Sequence, residues 1–137
     1  MKKGLIAGIV ALVLSSGCGV YAQVQSPIEI VITNETIRQY KQKKADDFCY
    51  VANALYSRGA IDSAIEYYKK ALKQNFKHAE ASNKIAECYL LKEKYGLAKF
   101  YARTAVENDP ENSFYKATLE MIQREMKKQK RMVSKTI

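Results

Sequence analysis

The sequence predicts an all-α chain, a short α-solenoid of two stacked helical hairpins closed by a C-terminal capping helix. Three observations lead there. First, a block of the chain repeats after a shift of 34 residues: laying Ala45–His78 over Ala79–Asn112 pairs Val51 with Ile85, Ala52 with Ala86, Ile61 with Tyr95, Ala64 with Ala98, Ala71 with Ala105 and Leu72 with Val106. Second, the apolar residues of each block form two runs at three-to-four spacing. Phe48, Val51, Ala52 and Leu55 make one, and Ile61, Ala64, Ile65, Tyr68, Ala71 and Leu72 the other, so each block is a pair of amphipathic helices. Third, small residues recur at the same places in both blocks. Ala52, Ala64, Ala86 and Ala98 let helix axes approach closely while Leu55, Tyr68 and Tyr89 fill the space beside them.

Residues 1–22 read as a secretory signal peptide. Lys2 and Lys3 precede the apolar run Gly4–Leu14, and Val20-Tyr21-Ala22 supplies small residues around a cut after Ala22. A second reading stands beside it: Cys18 after Ser15-Ser16-Gly17 loosely matches the site at which envelope lipoproteins are cut and acylated, although Ser15 occupies a place that normally holds an aliphatic residue. Residues 23–44 form a lead-in. Pro27 and the β-prone run Ile28–Ile32 give an extended segment, and Ile28, Ile30 and Ile32 are candidates to pack on the open side of the first hairpin. From Thr33 or Asn34, both good N-caps, Ile37, Tyr40, Lys41 and Lys44 lead at helical spacing into Phe48. Either the first repeat helix is long or a short helix precedes it.

Repeat 1 spans residues 45–78, with Gly59-Ala60 at its turn, and repeat 2 spans residues 79–112, with Asn75–His78 linking the two. The capping helix follows over residues 113–131, placing Tyr115, Leu119, Ile122 and Met126 on one side, and residues 132–137 are a tail. Glu120 and Gln123 stand where Ala86 and Tyr89 stand one repeat earlier. Polar residues there suit the last helix of a stack, whose outer face no further unit covers. Two hairpins and a cap are few for such a fold, so residues 23–44 or a second protomer are candidates to supply further burial.

The spacing resembles that of the tetratricopeptide repeat family. In the first copy Phe48, Val51, Ala52, Leu55, Gly59, Ile61, Ala64, Tyr68 and Ala71 carry the resemblance, and in the second Ile85, Ala86, Tyr89, Tyr95, Ala98, Ala105 and Pro110. Phe76 replaces the family's proline, Glu93 its turn glycine, and Gly96 lies inside the second helix of the second hairpin, departures that bear on local turns and not on architecture. The resemblance implies a right-handed solenoid and a partner-binding concave side lined by the first helix of each hairpin. By register that side carries Asp46, Cys49, Asn53, Tyr56 and Ser57, then Glu80, Asn83, Glu87, Leu90 and Leu91, then Phe114 and Met121. Asn53 and Asn83 have amides to hold a peptide backbone, and Tyr56, Leu90 and Leu91 can receive apolar side chains. One subtype clamps the carboxylate end of chaperone tails; it needs a lysine where Cys49 stands and an asparagine where Lys84 stands, so that mode is not expected here.

Catalytic and cofactor chemistry finds little support. His78 is the single histidine, and its place in the link between hairpins predicts a solvated side chain. Cys49 and Cys88 have no neighbouring ligand for zinc, and four of the six glycines, Gly4, Gly8, Gly17 and Gly19, belong to the signal segment, leaving no phosphate-binding loop. The two cysteines are offset by about 7.5 Å along neighbouring helices ~8–10 Å apart, too far for a bridge, so small semi-buried thiols are expected. No enzyme activity, cofactor or metal is expected.

The chain carries 23 Lys and Arg against 14 Asp and Glu, a net charge of +9 that falls to +7 when Lys2 and Lys3 leave with the signal segment. Export demotes nucleic acid as a partner for this excess. Arg124, Lys127, Lys128, Lys130, Arg131 and Lys135 crowd the last helix, where cations also suit the negative pole of the helix dipole. The expected function is a non-catalytic protein-interaction module of the bacterial cell envelope, periplasmic or secreted, that takes a peptide or partner protein in its groove. The alternative is a basic surface that holds anionic envelope glycan or lipid headgroups through the C-terminal helix, with a homo-oligomer as a further outcome of the low repeat number.

Overall fold

The computed structural model describes residues 33–136, so the signal segment, its cleavage site, Cys18 and the extended lead-in fall outside the described residues. Within them lie five helices and no strand: α1 (Asn34–Ser57), α2 (Ile61–Gln74), α3 (Ala79–Leu91), α4 (Tyr95–Asn108) and α5 (Ser113–Thr136). The helix boundaries obey the 34-residue shift. Adding it to Ile61 and Gln74 gives Tyr95 and Asn108, and adding it to Ser57 gives Leu91.

The lead-in helix and the first repeat helix are one element. Thr33 caps it, its Oγ1 accepting from the Thr36 amide at 3.1 Å, with Glu35 in the first turn where the helix dipole favours an anion. Ala45, Cys49 and Ala52 then turn inward from Lys44 onward. At the other end of the chain, α5 runs on to Thr136, so the residues read as a tail from 132 are helical up to that point. Asn112 begins it by accepting the Phe114 amide at 3.1 Å on Oδ1.

Both hairpins turn the same way in spite of different residues. The amide of Gly59 bonds the Tyr56 carbonyl at 2.9 Å and that of Ala60 the Leu55 carbonyl at 3.0 Å; one repeat later Glu93 bonds Leu90 at 3.0 Å and Lys94 bonds Tyr89 at 2.9 Å. This paired bonding closes a helix on one residue in the left-handed region. Gly59 meets that demand freely at φ 78°, whereas Glu93 meets it at φ 55° with a Cβ that pays steric strain of about 1–2 kcal/mol. Glu93→Gly is therefore expected to raise the thermal midpoint, with a gain of ~0.5–1 kcal/mol after glycine's greater unfolded freedom is counted. A lower midpoint would contradict the strain.

The interior is a continuous seam of small residues. Ala52, Ala64, Ala86 and Ala98 are fully buried, as are Tyr68, Ile85 and Ile122, and Tyr89 stacks on Tyr101 with ring centroids 5.8 Å apart. Burial differs between the copies where their neighbours differ. Val51 is 38% exposed although its counterpart Ile85 is fully buried, and Ala54 is exposed where its counterpart Cys88 is not. Ile85 and Cys88 sit on α3, which packs against α2, α4 and α5; α1 has only α2 as its principal neighbour among the described helices. Solenoid units bury one another's faces, so the end unit keeps part of its apolar surface in water. On the last helix Ile122 is buried, Tyr115, Leu119 and Met126 are half-buried, and Glu120 is exposed, as the capping register predicts.

Candidate functional site

The first helices α1, α3 and α5 carry all twelve residues of the groove predicted from sequence, but not all on the surface. Asp46, Asn53, Ser57 and Glu80 are exposed, as are Leu91, Phe114 and Met121, while Tyr56, Glu87 and Leu90 are half-buried. Cys49 and Asn83 are corrections. Cys49 is 5% exposed and Asn83 1%, so neither presents its side chain to a partner. α3 lies between the first hairpin and α5, and that packing covers the register place at which Asn83 stands. Its Nδ2 donates to Glu87 Oε1 at 2.8 Å, and its Oδ1 has no protein partner.

Several surface residues are held by neighbours that sequence reading missed. Asn53 accepts a hydrogen bond from the Tyr68 hydroxyl, reaching from α2, and the Ser57 hydroxyl donates to the Asn53 carbonyl at 2.9 Å. Lys84 is the hub of the second row. Its Nζ donates to Glu87 Oε2 at 2.8 Å and stands 5.9 Å from the centroid of the Tyr56 ring, spanning α3 and α1. Burial lowers the basicity of Lys84, but the Glu87 hydrogen bond and charge outweigh it and hold the ammonium above its ordinary range. Burial pushes the Tyr56 hydroxyl up, and the Glu87 carboxylate pushes it further. Lysine four residues after a groove position carries no periodic signal, which is why Lys84 was legible only as a missing asparagine.

His78 overturns the solvated reading. It is 8% exposed and caps α3: Nδ1 accepts the Ala81 amide at 3.2 Å, so Nε2 carries the ring proton and meets Asp46 Oδ1 at 2.9 Å. Asp46 thereby ties α1 to the start of α3, and Gln42, one turn earlier on α1, donates to the same oxygen at 2.8 Å. A residue directly ahead of a helix start was the available signal, though histidine is an uncommon cap.

Cys49 lies 3.9 Å from the same Nε2, and the three side chains invite comparison with a nucleophile–histidine–acid relay. The geometry refuses it. A relay needs thiol and carboxylate on opposite ring nitrogens, whereas here both face Nε2 and the helix cap occupies Nδ1. Burial, followed by the charges of Glu80 and Asp46, pushes the Cys49 thiol up to about 12, far from the thiolate that would attack. Cys88, a second buried free thiol, is pushed up to about 11 by burial first and Glu87 next. Among the described residues no group of three or more His, Cys, Asp or Glu is placed to hold a metal ion, and no helix is long and apolar enough to cross a membrane.

The side predicted from sequence thus carries exposed Asp46 and Glu80, the Lys84–Glu87 ion pair, and Leu91, Phe114 and Met121 standing out at 61%, 57% and 43% exposure. A family model described as a tetratricopeptide repeat matches residues 55–122, from the last turn of α1 into α5. Among solved structures, the second TPR of Spaghetti (RPAP3) bound to the HSP90 peptide SRMEEVD is similar over 68% of this chain and 85% of its own, at 24% identity and a TM-score of 0.64. YrrB, a TPR protein with an unusual peptide-binding site, is similar over 68% of this chain at 26% identity and a TM-score of 0.59, and this chain covers 47% of YrrB. No curated protein sequence matches the chain. The helical body of this chain is thus similar to the tetratricopeptide repeat, in its match to that family model over residues 55–122 and in the hairpin fold it shares with both solved structures.

Proposed function

We propose that this chain is a non-catalytic interaction module that takes an extended segment of a partner protein along α1, α3 and α5. The observation that carries the reading is the exposure of Leu91 at the end of α3 and of Phe114 and Met121 on α5, at places that the repeat register assigns to that side. Large apolar side chains left in water beside fixed polar groups are the composition of a docking surface. Spaghetti's repeat domain, in complex with an HSP90 peptide, supports peptide docking as the use of such a fold. The acidic tail of that peptide does not transfer as the ligand. Cys49 is buried, Lys84 is engaged with Glu87, and the exposed charges among the predicted groove residues are those of Asp46 and Glu80. The matching segment carries a lysine or arginine for these acids and apolar residues for Tyr56, Leu91, Phe114 and Met121.

Export belongs to the same proposal: Lys2, Lys3, the apolar run Gly4–Leu14 and Ala22 support removal of residues 1–22 and work in the envelope. Selection from a randomised displayed peptide library tests the groove. Selected peptides are expected to combine a cation with apolar residues, and Glu80→Lys or Tyr56→Ala is expected to weaken them about tenfold, ~1.4 kcal/mol, with the fold retained. Peptides enriched in acids, or unmoved by both substitutions, would refute the groove; a purified exported protein that does not begin at Gln23 would refute the cut.

A further inference from the structure

We propose that the C-terminal part of α5, Lys127–Lys135, is a second docking surface that binds an anionic lipid bilayer surface. It is independent of the groove and of the peptide reading. Every residue from Lys127 to Thr136 is exposed, because α5 is 24 residues long while α4, against which it packs, is 14. The helix therefore continues for about 15 Å past its last buried contacts.

The charge on this stretch is not what helix stability asks for. Lys127, Arg131 and Lys135 stand at i, i+4 and i+8 and form one row, and like charges at that spacing destabilise a helix. The helix dipole accounts for cations in the last turn alone, where only Lys135 sits. Lys128 is paired with Glu125 at 2.6 Å and Arg124 with Glu120 at 3.7 Å, while Lys127, Lys130, Arg131 and Lys135 make no ion pair among the described residues. Glu93 is the other nearby acid, lining an open cleft with Arg131 and Met132. Four uncompensated cations on a projecting helix are a surface built for an extended anion.

Met132 and Val133 decide which anion. They are 71% and 57% exposed; by helical spacing Met132 lies beside Lys128 and Lys135 of the row, and Val133 beside Lys130. A glycan or nucleic acid has no use for them. At a bilayer, flanking cations hold headgroup phosphates while methionine and valine enter the acyl boundary.

Vesicle co-sedimentation tests this. The whole protein is expected to bind phosphatidylcholine vesicles containing phosphatidylglycerol, to ignore phosphatidylcholine alone, and to release when salt is raised several-fold above ~0.1 M. Replacing Lys127, Arg131 and Lys135 by glutamine, a good helix former, should weaken binding about a hundredfold with helix content unchanged by circular dichroism, and arginine at Lys127 and Lys135 should preserve it. Met132→Gln with Val133→Gln should weaken vesicle binding about tenfold and leave binding to soluble heparin unchanged. Equal binding to neutral vesicles, no loss in the glutamine variant, or tighter capture by heparin or RNA than by anionic vesicles would each overturn the lipid assignment.

Discussion

Tyr68→Ala is expected to lower the unfolding free energy by about 3–5 kcal/mol, a large share of the ~5–15 kcal/mol that holds a domain of this size. Tyr68 has no solvent exposure, lies on α2 in the same buried cluster as Ala52, Ala64 and Ile85, and is among the largest fully buried side chains. That cluster is rich in alanines, whose side chains have no reach to refill the space, so the cavity term adds to the transfer term. Its hydroxyl contributes separately through the hydrogen bond to Asn53. Because Asn53 is exposed, Tyr68→Phe lets water satisfy the abandoned acceptor and should cost only ~1 kcal/mol. Urea unfolding of both variants checks the pair. Near-equal losses would mean that the hydroxyl's bond between α2 and α1, and not the burial of the ring, carries the stabilisation.

Ile122→Ala is expected to cost about 2–5 kcal/mol and to do so unevenly along the chain. Ile122 is the only large aliphatic side chain of α5 with no exposure, and α5 packs chiefly on α4 and less on α3. In a linear stack each unit is stabilised by its neighbours. Amide exchange should therefore accelerate first in α5 and α4, while α1 and α2 keep most of their protection. Uniform acceleration in all five helices would show that the stack unfolds as one unit, with the cap coupled to the first hairpin.

Much of this body was legible because its information is local and repeated. The alanines at Ala52, Ala64, Ala86 and Ala98, the apolar spacing of α2, and the stripe Tyr115, Leu119, Ile122 are periodic signals that a helix reads directly. Glu93 shows the limit in one direction: a residue poorly suited to the left-handed turn adopts it anyway, since the hairpin's packing outweighs about 1–2 kcal/mol of local strain. The groove shows it in the other. Register placed Asn53, Tyr56, Leu91, Phe114 and Met121 on one side, but it could not tell that Asn83 and Cys49 would be covered, because cover comes from helices distant in sequence.

The sequence by itself determined the hairpins, their 34-residue repeat, the alanine seams and the polar character of the last helix, all properties of side-chain periodicity within one or two turns. Only the tertiary structure decided that His78 is a buried cap clasped by Asp46, that Lys84 joins Tyr56 to Glu87, and that Val51 meets water where Ile85 does not. The physical reason is the same in each case. Helix formation answers to neighbours along the chain, while burial, hydrogen-bond partners and the charge a group feels answer to whatever the stack brings alongside.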